Sequence, residues 1–126
     1  MHSAAKAYQT VATRTSSPRE LEADLLLRAA HRLQSVNKQD EGQKDALSEA
    51  LLYNRKLWQI FLVSATSEES SLPPELRQNV ANLGLFVMNQ TMNILAEPAK
   101  ARLDALININ RELAAGLRGV AQAAAR

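Results

Sequence analysis

The sequence predicts an all-α fold: a single-domain bundle of four main helices with one short helix ahead of them. Three observations predict it. The chain is built from helix formers, with alanine, leucine, glutamate, glutamine and arginine prominent and only four glycines and four prolines in 126 residues. Apolar side chains recur at steps of three and four along most of its length. The breaks between those stretches carry helix start and stop chemistry. No strand pattern competes, because short β-branched runs such as residues 60–63 sit inside longer helical periodicity. With 46% apolar residues the chain is not compositionally disordered. At this length it can bury roughly two-thirds of its unfolded surface, enough for one core, so residues 1–126 read as one domain.

Residues 3–14 place Ala4, Tyr8 and Val11 at helical spacing, a short amphipathic helix that is marginal unless it docks. Ser17-Pro18-Arg19-Glu20 then reads as an N-cap, a proline at the first helical position and a capping-box glutamate. The helix behind it carries Leu21, Leu25, Ala29, Leu33 and Val36 on one face and ends in the polar stretch 37–42. A further helix is expected over about residues 43–65, with Leu47, Ala50, Leu51, Leu57, Trp58, Phe61 and Leu62 as its stripe and Asn54 inside that stripe. After the serine- and glutamate-rich loop 66–71, Leu72-Pro73-Pro74-Glu75 opens the next helix, whose inner face is Leu76, Val80, Leu83, Val87 and Ile94, with Phe86 beside it. Glu97-Pro98 breaks the chain again, since proline disfavours helix at the residue before it. The last helix is expected over about residues 98–118, with Leu103, Leu106, Asn110, Leu113, Leu117 and Val120 at heptad spacing and Ile107 and Ile109 widening the apolar surface. Gly119 is a plausible C-cap, and residues 120–126 are expected to fray. Short connections imply antiparallel neighbours.

The chemistry-bearing residues are few. There is no cysteine, which excludes disulfides, thiolate metal sites and thiol catalysis and suits a reducing compartment. Of the two histidines, His2 lies at the terminus and His31 has no second histidine at i+4, so no helical two-histidine metal site exists there. His31 reads as a helix surface residue. Glu20, Glu22 and Asp24 fall early in a helix, where they favour the dipole without any catalytic role. Gly116-Leu117-Arg118-Gly119 has too few glycines for a phosphate loop, and the Asn89-Gln90-Thr91 sequon lies mid-helix. No catalytic, cofactor-binding or metal residues are expected, and no small-molecule substrate. The longest apolar run, residues 83–88, is far short of the roughly 20 residues that span a bilayer. A soluble cytoplasmic protein that binds another macromolecule is the expectation.

The net charge of +2 and pI of 9.2 reflect a small surplus of 15 basic over 13 acidic residues, weak evidence for a nucleic-acid partner. Trp58 and Phe61 stand at i, i+3 on an apolar face, which favours core packing over a groove receiving a partner helix. Asn54 and Asn110 each interrupt an apolar seam. They either bond to each other or to a backbone carbonyl and fix register, or line a groove and bond a partner.

Along the chain, Ala7-Tyr8-Gln9, Pro18-Arg19-Glu20, Ala46-Leu47, Asn54-Arg55 and Leu57-Trp58 follow one another in order. Leu72-Pro73, Leu76-Arg77, Ile107-Asn108-Ile109-Asn110-Arg111 and Gly116-Leu117 continue the series. In this order and spacing the chain resembles the FlaF family of bacterial flagellar proteins over about residues 7–119. Phe86 departs from the tryptophan that many members carry, a conservative change. The resemblance implies a protein that promotes flagellin synthesis and secretion beside the regulator FlbT, as an export chaperone for flagellin that covers a terminal helical region. Candidate partner-binding residues are Tyr8, Asn54, Trp58, Phe61, Phe86, Asn110 and Arg111. Direct or FlbT-mediated regulation of flagellin mRNA is the alternative, with RNA ranked behind flagellin as a partner.

Overall fold

The computed structural model describes residues 17–36, 44–70, 72–98 and 102–124. They form four helices and no strand: α1 (Pro18–Ser35), α2 (Lys44–Thr66), α3 (Pro74–Ala96) and α4 (Asp104–Ala124). The expected helix over residues 3–14, with Tyr8 on it, lies outside the described residues.

α1 begins where its start signal places it. The Ser17 hydroxyl accepts the Glu20 backbone N–H at 3.5 Å, and Pro18 occupies the first turn, where a missing N–H is harmless. The helix stops at Val36, whose extended backbone turns its N–H back to the Leu33 carbonyl. α3 has no side-chain cap at Pro73, so Pro74 and the first-turn Glu75 carry its start. Its end is set by Glu97, which leaves helical geometry immediately before Pro98.

α4 differs from its expected bounds at both ends. It starts at Asp104, six residues after Pro98, with a first-turn acid at the positive end of its dipole. It continues through Gly119 to Ala124, so Gly119 is an interior residue and not a C-cap. Among the described residues no glycine adopts a positive φ. The alanines after it are strong helix formers that outweigh one glycine.

Contacts between helices define an up-down-up-down bundle. Asp24 meets Arg118 and Gln34 meets Arg111, which makes α1 and α4 antiparallel. Arg55 meets Met92 and Ser67 meets Arg77, which makes α2 and α3 antiparallel. Arg32 stacks on the Tyr53 ring at 4.4 Å across α1 and α2. The most extensive packing joins α1 to α4, followed by α2 to α3, then α1 to α2. α3 and α4 barely meet, so α3 is held mainly from one side.

The core follows the stripes. Leu25, Leu26, Leu33, Leu51, Trp58, Val80, Val87, Leu103, Leu106 and Leu117 are fully buried. Where α2 and α3 cross, Gly84 lies so close that a Cβ there would stand 2.7 Å from both Leu62 methyls.

Candidate functional site

The interior polar centre lies where α1, α2 and α4 converge. Asn110 is completely buried, and its amide nitrogen donates to the Asn54 side-chain oxygen at 2.7 Å and to the Leu26 carbonyl at 3.2 Å. Its amide oxygen accepts the indole N–H of Trp58 at 2.9 Å. Each of these bonds crosses between helices, so the network fixes the relative height of three of them. The Trp58 ring packs edge-on against Phe61, with centroids 5.6 Å apart. The Asn54 amide nitrogen is buried and meets no acceptor among the described residues.

These placements sort the candidate partner-binding residues. Asn54, Trp58, Phe61 and Asn110 are brought together, but in the interior. A partner cannot reach them while the bundle is closed, so the register reading of the two asparagines and the core reading of Trp58 account for them. Arg111 is exposed and donates to Gln34. It borders an open depression of about 320 Å³ between the ends of α1 and α4, shared with Asp104 and Asn108. Among the described candidates Phe86 alone presents a ring to solvent, at 44% exposure, and it stands apart from the asparagine centre.

Sequence reasoning missed two features. The first is the burial of Glu22, which the sequence placed early in the helix only as a residue that favours its dipole. Its spacing to Leu26, Ala29 and Leu33 is the core spacing of α1, a signal that was present in the pattern. Arg19 stands 2.9 Å from its carboxylate, yet neither of the two facing atoms makes an aligned hydrogen bond. Burial lifts the Glu22 carboxyl from about 4.5 to about 7, and the Arg19 guanidinium offsets only part of that rise. A cavity of about 20 Å³ beside it, lined by Leu25, Leu57, Ile60, Phe61 and Ser64 among others, has room for one water.

The second is the outer face of α3. From Gln78 to Ala96 the helix carries no charged residue. Its solvent side shows Leu85 at 67% exposure and Met92 at 54%, set among Gln78, Asn82 and Asn89. A surface helix ordinarily covers that side with charges. Among the described residues no three histidine, aspartate or glutamate side chains gather as metal ligands, and no helix is long and apolar enough to cross a membrane.

Fold and surface together define a small all-α bundle, pinned by an asparagine–tryptophan network and displaying an uncharged apolar-and-amide helix face. The chain belongs to the FlaF family: the family model described as flagellar protein FlaF matches residues 4–117, most of its length. No curated protein and no solved structure matches it.

Proposed function

We propose that this flagellar protein is a non-enzymatic, cytoplasmic binding protein that holds flagellin before export and, through that binding, regulates flagellin production. The observation that supports the reading best is the uncharged outer face of α3, with Leu85 and Met92 open to solvent. Exposed apolar side chains grouped on one helix suit a protein that covers another helix. Flagellin's apolar helical ends are such a target, since before export they must be kept from assembling. Membership of the FlaF family supplies the flagellar setting. FlbT is the further partner of this reading.

The test is titration of the purified protein with flagellin, and separately with flagellin leader RNA, at low and moderate salt. Apolar burial is not screened by ions, so flagellin affinity is expected to fall less than about tenfold across that change. RNA binding is expected to be weak and to fall steeply, as phosphate contacts do. Tight, sequence-selective RNA binding without flagellin binding overturns the reading in favour of a post-transcriptional regulator acting on flagellin mRNA directly or through FlbT.

A further inference from the structure

Four exposed apolar side chains border one groove, the outer seam between α2 and α3. On α2, Leu52 and Val63 are exposed, and with Gln59 they follow at steps of seven and four along one stripe. On α3, Leu85 and Met92 stand one heptad apart. Arg55, which neighbours Leu52 and Gln59 at i−3 and i+4, places a guanidinium nitrogen 3.9 Å from the Met92 sulfur. That contact turns the Met92 edge of α3 toward the Leu52 edge of α2, on the side away from the core.

Charge distribution determines what fits there. Residues 50–66 and 78–96, which supply both walls, contain Arg55 and Lys56 as their only charged residues, although the chain has 13 acids. The α3 wall is neutral throughout, and the α2 wall is positive. A second copy seated by two-fold symmetry would oppose this groove to itself, bringing the two cations of each copy toward their counterparts with one acid per copy, the exposed Glu49 a heptad before Lys56, to set against them. A nucleic acid would find two cations on one wall and none on the other, too few for a phosphate track. An amphipathic helix fits both walls. Its apolar seam covers Leu85, Met92, Leu52 and Val63, and carboxylates on one flank meet Arg55 and Lys56.

We propose that the outer α2–α3 groove is the docking surface for such a helix, neutral along its contact stripe and acidic on the flank facing Arg55 and Lys56. The proposal rests on the flagellin reading above and names the surface that reading uses.

Calorimetric titration of flagellin into wild type, Leu85→Glu, Met92→Glu and Lys56→Glu tests it, with thermal melts and sedimentation on each protein. The side chains are exposed, so the melts are expected to be unchanged. Leu85→Glu and Met92→Glu are expected to weaken flagellin binding by about tenfold or more, as loss of a central apolar anchor does. Lys56→Glu is expected to weaken it a few-fold, more at low salt than at high. If wild type binds flagellin and both glutamate variants bind equally well, the groove assignment is wrong while the flagellin reading stands. If Lys56→Glu strengthens binding, the acidic flank is wrong. Wild type sedimenting as a dimer that Leu85→Glu dissociates makes a second copy the occupant and overturns the proposal. Absence of any flagellin binding by wild type defeats the functional reading and the proposal together.

Discussion

Replacing Asn110 with leucine removes the acceptor of the Trp58 indole and the donor to Asn54 in one step. A polar residue in a heptad seam commonly trades stability for register, and from the seam alone leucine is expected to stabilise the chain. The geometry reverses that sign, because the amide is engaged on both sides and its loss strands two buried partners. Asn110→Leu is expected to cost about 2–6 kcal/mol, at 1–3 kcal/mol for each stranded group; equilibrium denaturation that shows a gain overturns the network account. Glu22 carries the opposite prediction. Its folded pKa is raised to about 7, so the folded state holds a proton that the unfolded chain releases near pH 4.5. The protonated carboxyl is therefore fully compatible with folding below about pH 4.5, and stability is lost as pH rises from there through about 7. Glu22→Gln is expected to stabilise the protein at pH 8 by on the order of 2–3 kcal/mol and to flatten that window. Melts of both proteins at pH 4.5 and 8 check it: an equal gap at the two pH values removes Glu22 as the cause. The asparagine pair was legible as two amides in apolar seams. Their bonding to each other or to a backbone carbonyl was one of two readings the seams allowed, and both bonds are made; the choice between the readings was not legible, because the two residues lie on different helices and spacing along one helix carries no information about its neighbour.

At the scale of the helices, local chemistry was most legible where a start signal is written in side chains. Ser17 and Pro18 set the beginning of α1, and Pro98 set the end of α3. α4 was least legible, because a glycine near a helix end reads as a stop, whereas Gly116 and Gly119 are both interior and helical. Nothing lies within 4 Å of where a Cβ would stand on either. Gly116→Ala and Gly119→Ala are each expected to stabilise the protein by up to about 1 kcal/mol, the helix-propensity difference at an open site. Gly84 responds in the opposite sense. Its missing side chain is the space that Leu62 occupies, so Gly84→Val drives two branched methyls into the α2–α3 crossing. A loss of about 1–3 kcal/mol is expected from overpacking. Chemical denaturation of the three variants orders them, and a stabilised Gly84→Val shows that the crossing yields more readily than its geometry implies.

The whole molecule is unevenly joined, and that bears on how it works. α1, α2 and α4 share the Asn54–Trp58–Asn110 centre, whereas α3 leans on α2 and scarcely touches α4. Helical periodicity showed that α3 has an inner face but not how thinly its outer side is covered, since that depends on the arrangement of all four helices. Its buried positions, Val80, Gly84, Val87, Thr91 and Ile94, form a single narrow seam. Thr91 satisfies its hydroxyl on the Val87 carbonyl within the same helix and so adds nothing across the interface. The helix with the exposed neutral face is thus also the one with the fewest ties. Local opening free energy follows buried contacts, so α3 should open more readily than the α1–α4 pair. Hydrogen exchange on the full chain is expected to show backbone amides at the centre of α3 less protected than those around Leu26 and Asn110. Binding of a helix along the α2–α3 groove adds a second extensive neighbour, which α3 lacks among the described helices, and its protection is expected to rise toward that of α4 when flagellin is present. Equal protection of α3 and α4 in the free protein contradicts the uneven bundle. Protection that rises at α1 and α4 while α3 stays unchanged on flagellin binding moves the docking surface to the other side of the molecule.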